Sequence, residues 1–357
     1  MNERENLISL LTRQGFDHVP VEFNLCPHLV DVYKEKTNSK KSYQKYFNMP
    51  WEGVGSFVRH DFNAQRFNKY HTQEDLKDPN FSLDSDGVGH RKTPTSMHMT
   101  QMIHPLENAD SIEQIQEYPL EHFNEKLSTA LTKLQVKAVH AKGLAALGNM
   151  QCTVWESAWY MRGMENLMMD MMCDEKMAEC MLDKATERSL SRAKIFAKAG
   201  VDILFLGDDI GMQNSIMMSE ELYCTWLKPR LAKIISAAKQ INPNIIVFYH
   251  TCGFVTPLIK HLVDAGIDVL NPVQPECMDF KEIHDEFGDK LSFSGTIGTQ
   301  STMPFGTPAD VRKEVEKNLT IAGDKGGLFV SPTHLLEPEV PWENILAYVD
   351  ACKRFLK

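Results

Sequence analysis

From residue 144 to the C-terminus, short apolar, β-prone runs alternate with longer helical patterns, and each run breaks off into a polar or glycine-containing turn. The runs are 144–147, 201–206 (VDILFL), 245–249 (IIVFY), 269–270, 291–294 (LSFS) and 328–330. Almost every position in them is apolar, as expected of strands covered on both faces. Strands separated by helices pair in parallel through helical crossovers. The helical signals agree: Gly200 closes an amphipathic stretch that starts near Asp174, and Ser219 stands before Glu220 and Glu221 as an N-cap. Thr307-Pro308 and Pro341 mark two further helix starts.

Residues 1–143 are less regular. The segment 19–23 (VPVEF) reads as a first strand, whereas 52–105 mixes Gly, Asp, His and Asn without sustained periodicity. This part is expected to be an N-terminal elaboration, a lid or extra strands, rather than a separate domain. No repeat, low-complexity tract or linker divides 144–357. The pattern therefore predicts a single α/β domain over 1–357, a TIM-like (β/α)8 barrel, with an open doubly wound sheet as the structural alternative.

Composition narrows the partners. Asp and Glu total 48 against 38 Lys and Arg, a formal charge of −10, and such a balance disfavours nucleic acid and anionic membranes. A small ligand is expected instead. No run approaches the roughly 18 consecutive apolar residues of a membrane span, and the opening MNERENLISLL lacks a signal-peptide pattern, so a cytoplasmic location is expected. The eight cysteines read as reduced thiols, mostly in the core. No GxGxxG, P-loop, GxSxG or HExxH pattern follows a suitable strand, which removes the usual support for nicotinamide, nucleotide and serine-hydrolase chemistry.

In a parallel barrel, chemistry sits at the C-terminal strand ends. There the chain places Gly207-Asp208-Asp209-Ile210-Gly211-Met212-Gln213, His250-Thr251-Cys252-Gly253, Asn271-Pro272-Val273-Gln274, Gly295-Thr296 and Ser331-Pro332-Thr333-His334. His250 and Cys252 flank one residue, so on an extended backbone both side chains lie on the same side and can converge on one ion. Imidazole and thiolate suit zinc, and a catalytic zinc takes three protein ligands and an open position. His334 is a candidate third ligand; it reads equally as a histidine that hydrogen-bonds substrate or backbone. Asp208 and Asp209 fit a general acid/base pair, an orienting partner for a metal-bound histidine, or helix caps.

Methionines cluster between 150 and 181 beside Trp155, Trp159 and Tyr160. Such side chains suit a pocket for a flat apolar group or a helical core. Trp155, Glu156 and Trp159, closest to the preceding strand end, are the better pocket candidates. His60, His71, His90, His98 and His104 have no paired spacing and read as surface or hydrogen-bonded histidines.

Three stretches, FYHTCGFVTPLIKHLVDAGIDVLNPVQPECMDF, FGDKLSFSGTIGTQ and GGLFVSPTHLLEPEVPWENI, together resemble the uroporphyrinogen decarboxylase superfamily, and more narrowly its corrinoid-dependent methyltransferase branch. The likeness covers about 140–355, with weaker matches at 16–23 and around His104-Pro105-Leu106. It implies a TIM-like barrel and, in the methyltransferase branch, zinc held by a His-x-Cys pair, matched by His250 and Cys252, plus a third ligand after the last strand. In the branch that methylates thiols that ligand is a cysteine, where this chain has His334, and Val273-Gln274 stands where acidic residues are usual. His334 also resembles the histidine of the decarboxylases' tetrapyrrole site. The arginine-bearing N-terminal segment that holds the decarboxylase substrate's carboxylates is replaced here by FNLCPHLVDVYKEK.

The resemblance implies methyl transfer from a small methylated donor, a methoxylated aromatic above all, to the cobalt of a cobalamin carried on a separate corrinoid protein. Zn2+ at His250 and Cys252 would act as a Lewis acid, Asp208, Asp209 and Gln213 would orient the donor, Trp155 and Trp159 would wall it, and Glu156, Asn271, Gln274 and Thr296 complete the candidate substrate contacts. The alternatives are methyl-corrinoid:thiol transfer, a metal-free tetrapyrrole decarboxylase and a non-catalytic ligand-binding barrel. A homodimer is compatible with such barrels.

Overall fold

The computed structural model describes residues 1–59, 64–93, 100–120 and 123–355; His60 and His98 lie outside them. Ten strands occur among these residues: β1 (Trp51–Val54), β2 (Phe81–Leu83), β3 (Gly89–Arg91), β4 (Gln101–Ile103), β5 (Ala145–Gln151), β6 (Ile203–Gly207), β7 (Ile246–His250), β8 (Val269–Asn271), β9 (Ser292–Ser294) and β10 (Leu328–Phe329). Seven of them form one sheet in the order β1-β5-β6-β7-β8-β9-β10, and every neighbouring pair is parallel. Strand order thus follows chain order, as in a barrel wound by successive helical crossovers. β2, β3 and β4 form a separate antiparallel sheet in the N-terminal part.

All six runs picked out after residue 144 are strands, with ends shifted by a few residues. Local chemistry sets the helices between them. Asp174 caps Glu175–Ala199 through the Met177 N–H, and Gly200 ends it in a left-handed conformation (φ 85°). Thr307 and Asp310 make a capping box at Pro308–Ala322, and Ser219 caps the helix starting at Glu220.

The segment 19–25 runs extended beside the β10 side of the barrel without joining the ladder, apart from a parallel bridge between Leu25 and Leu336. Pro20 has no N–H to donate. At Glu22 the hydroxyl of Tyr348 stands in for a strand, taking the Glu22 N–H and bonding the carbonyls of Glu22 and Val330 at 3.1 and 3.0 Å. On its other side Trp51 Nε1 donates to Glu22 Oε2 at 3.0 Å, so this segment bridges β10 and β1. β1 itself, WEGV, is a strand the sequence reading left inside an irregular region.

Two compositional expectations change. All eight cysteines are free thiols, but only Cys26 and Cys352 are buried, and Cys173 is exposed; the rest sit half-buried on helix faces and loops. On the helix Met164–Cys173, Met171 is buried whereas Met169 and Met172 are exposed, so this methionine cluster is only partly core.

Candidate metal centre at the barrel mouth

Register brings Gly207, His250 and Asn271 side by side at the ends of β6, β7 and β8. Gly207 is required there: a Cβ would stand 2.5 Å from the His250 carbonyl oxygen and 2.8 Å from its Cβ. Asn271 Nδ2 donates to Ser294 Oγ at 3.3 Å, which leaves Asn271 Oδ1 to accept from His250 Nδ1 at 2.7 Å. This network assigns the proton to Nδ1. The Nε2 lone pair is then free and faces Cys252 Sγ at 3.5 Å and Asp209 Oδ1 at 3.8 Å.

Asp209, His250 and Cys252 each present a ligand atom within 4.8 Å of the other two. With metal–ligand bonds of about 2.0–2.3 Å, ligand atoms on a tetrahedron stand about 3.3–3.8 Å apart, a range that holds both separations from Nε2, 3.5 and 3.8 Å, and three ligands leave one position open. A fixed acceptor on the far nitrogen is the usual support of a metal-bound histidine. Burial pushes the Cys252 thiol well up, and the nearby Asp209 and Glu156 carboxylates push it further; a thiolate there needs a compensating cation.

The two adjacent aspartates differ in position. Asp208 is buried, and its oxygens accept from the Val154 N–H at 3.0 and 3.1 Å and the Glu156 N–H at 2.9 Å. From the end of β6 it thus takes up N–H groups at the start of the helix Trp155–Arg162, whose own N-cap residue, Val154, makes no side-chain bond. Burial pushes its carboxyl up, against the pull of those N–H groups. Asp209 points to the mouth, where its Oδ1 accepts from the Cys252 N–H at 2.7 Å. Glu156 joins the two, accepting from the Asp209 N–H at 3.2 Å and the Tyr160 hydroxyl at 3.0 Å; burial, then the charges of Asp208 and Asp209, push it upward as well.

The other candidates lie further out. Gln274 is buried and accepts from the Gly253 N–H at 3.2 Å, fixing the loop that carries Cys252. Thr296 is buried and its carbonyl accepts from Asn318. Gln213 is exposed and bonds Gln300 and the Glu276 carbonyl. Trp155 is fully buried, and Trp159 packs on Tyr160 and His104; neither lines the large cavity. His334 is exposed, with its ring centroid 6.4 Å from that of His250, and is not among the three clustered ligands.

Below His250 opens a cavity of about 920 Å3, lined among others by Glu22, Trp51, Phe205, Phe248, His250 and His334. Phe205 stacks on Phe248 at 4.9 Å, and Trp51 packs edge-on against Phe248 at 5.7 Å. The sequence reading missed this aromatic wall and Glu22, although an acid within the apolar run VPVEF was a visible signal.

Among the described residues the parallel sheet has seven strands in chain order rather than eight, curled with its polar groups gathered at the C-terminal strand ends, which defines an α/β fold of the TIM-barrel type. Residues 95–355 match the profile of the uroporphyrinogen decarboxylase (URO-D) family. The chain belongs to that family. It is 29% identical over 204 residues to the methylated-thiol–coenzyme M methyltransferase of Methanosarcina mazei, a match that covers 55% of this chain and 50% of that protein. The aligned part therefore spans half the length of that relative. Its fold is similar to the solved structure of a methyltransferase from Methanosarcina mazei, with a TM-score of 0.66 at 16% identity over 98% of both chains.

Proposed function

We propose that the protein is a methyltransferase that takes a methyl group from a small methylated donor and passes it to the cobalt of a corrinoid carried on a separate protein, with Zn2+ held by Asp209, His250 and Cys252. The observation that carries this reading is the three-ligand cluster, with Nε2 3.5 Å from Sγ and 3.8 Å from Oδ1. When bound, the metal supplies Lewis acidity at the heteroatom that carries the methyl group.

The protein's residues do the positioning. Asn271 holds His250 in the tautomer that offers Nε2, and the Cys252 N–H holds Asp209 by its carboxylate. The Trp51, Phe205 and Phe248 wall receives the apolar body of the donor and keeps water from it. This aromatic lining favours a methoxylated aromatic, with phenolate as the leaving group. A second reading, methyl exchange with a thiol, is favoured by the methylated-thiol substrate in the name of the Methanosarcina relative.

Elemental analysis of the purified protein tests the metal. Near-stoichiometric zinc, lost in both His250→Ala and Cys252→Ser with folding retained, is expected; methoxybenzenes and methylated thiols are then screened with corrinoid proteins. Absence of zinc after reconstitution refutes the metal centre and returns the family's metal-free decarboxylase chemistry, or ligand binding alone, to first place.

A further inference from the structure

A second cavity of about 270 Å3 lies between the antiparallel β2–β4 sheet and the long helix Glu175–Ala199. Arg188 and Arg192, one turn apart on that helix, both line it, together with the rings of Phe57 and Phe123, which pack 5.0 Å apart. The guanidinium of Arg192 stands over Phe57 at 5.3 Å and that of Arg188 over Phe123 at 5.7 Å.

Among the described residues three arginines, Arg59, Arg188 and Arg192, line this cavity against two acids, Asp84 and Asp86. Arg188 pairs with Asp86, yet its Nε is buried without a hydrogen-bond partner. The other lining acid, Asp84, is taken up by the N–H groups of Asp86 and Val88 and by His90. Arg192 donates to the Asn149 carbonyl at 3.1 Å and forms no ion pair with any described residue. Burial, and then the positive charge of Arg188, push its guanidinium down to about 10, against the pull of the Asp86 carboxylate. Among the described residues Arg188 and Arg192 share one nearby carboxylate, Asp86, and two half-buried cations one turn apart are stabilised by a further negative charge, which an anionic ligand supplies.

We infer that this cavity binds a small aromatic acid, its carboxylate on Arg192 and its ring against the wall that Phe57, Phe123 and Tyr160 give the cavity. A guanidinium offers the planar fork that matches a carboxylate, and the aromatic walls match a flat ring. The cavity lies just under the roughly 300 Å3 at which sites for drug-sized ligands begin, which suits one ring and its carboxylate. Gln151 lines this cavity and the large one, and Tyr160 reaches from here to Glu156, so the two cavities adjoin. The inference rests on these residues and not on methyl transfer.

Isothermal titration calorimetry on the full chain tests it with benzoate, benzamide and inorganic phosphate, none of which carries a methyl group. Benzoate is expected to bind with a Kd below about 1 mM, and benzamide, its neutral counterpart, at least tenfold more weakly. Arg192→Met is expected to lose at least tenfold in benzoate affinity and Arg192→Lys less. The benzoate and benzamide comparison needs only the wild type and stands if Arg192→Met does not fold. No benzoate binding, equal binding of benzamide, or unchanged affinity in a folded Arg192→Met variant overturns the inference. Phosphate binding as tightly as benzoate overturns the aromatic acid in favour of an inorganic anion. Zinc content, measured on the same samples, reports separately on the metal centre.

Discussion

Glu22→Gln isolates one buried charge. Glu22 sits at the edge of the large cavity with the Trp51 indole as hydrogen-bond donor and no ion pair among the described residues. Burial raises its carboxyl from the ordinary 4.5 to about 8, against the pull of the Trp51 hydrogen bond. At 1.36 kcal/mol per unit, that rise corresponds to about 5 kcal/mol of destabilisation once the group is ionised in the folded state. The folded chain holds the proton more tightly than the unfolded chain, so wild-type stability falls as pH rises from about 4.5 to about 8 and levels off above. Glutamine accepts from Trp51 through its amide oxygen and does not titrate. Urea denaturation of both proteins is expected to show similar stability at pH 5. At pH 8.5 the Glu22→Gln variant should be the more stable by roughly 3 kcal/mol, the 5 being reduced where cavity water reaches the carboxylate. A difference between the two proteins that stays flat from pH 5 to pH 8.5 would refute the argument.

Three further outcomes are expected. Asn271→Leu removes the acceptor on His250 Nδ1 and should weaken zinc affinity about 10- to 100-fold, read by chelator competition, with Asn271→Asp retaining most of it. Gly207→Ala drives a methyl group to within 2.5 Å of the His250 carbonyl; zinc stoichiometry should fall while far-ultraviolet circular dichroism stays unchanged. Asp208→Asn places an amide against the N–H groups of Val154 and Glu156 and should cost about 1–3 kcal/mol in chemical denaturation.

The strands after residue 144 were legible because a strand covered on both faces is apolar throughout and ends abruptly. That same uniformity conceals which face is which. Phe205 and Phe248 line the large cavity, yet VDILFL and IIVFY look alike inward and outward, so the aromatic wall was sought in Trp155 and Trp159. Those two belong to a helix whose start Asp208 fixes, and that start turns Trp155 into the core. β1 escaped notice for the opposite reason. WEGV has too few apolar residues to declare itself, and its place is set by pairing with β5, Trp51 opposite Ala145. No local pattern encodes a partner 94 positions away, the span from 51 to 145.

The period of two that made His250 and Cys252 a pair also decides between the neighbouring aspartates. Residues two apart on an extended backbone share a side, and adjacent residues oppose one another. Asp208 and Asp209 leave β6 in that alternation, one carboxylate turned to the start of the helix Trp155–Arg162 and the other to the mouth. The Asp208 oxygens accept from N–H groups at that helix start while Asp209 faces Cys252, an arrangement that supports a capping role for the first and a ligand role for the second. The third member of the cluster therefore comes from the strand next to β7 rather than from the last strand, where His334 stands. Asn271, on the strand at the other side of β7, fixes the imidazole between them, so the site's geometry is set by three consecutive strands, β6, β7 and β8.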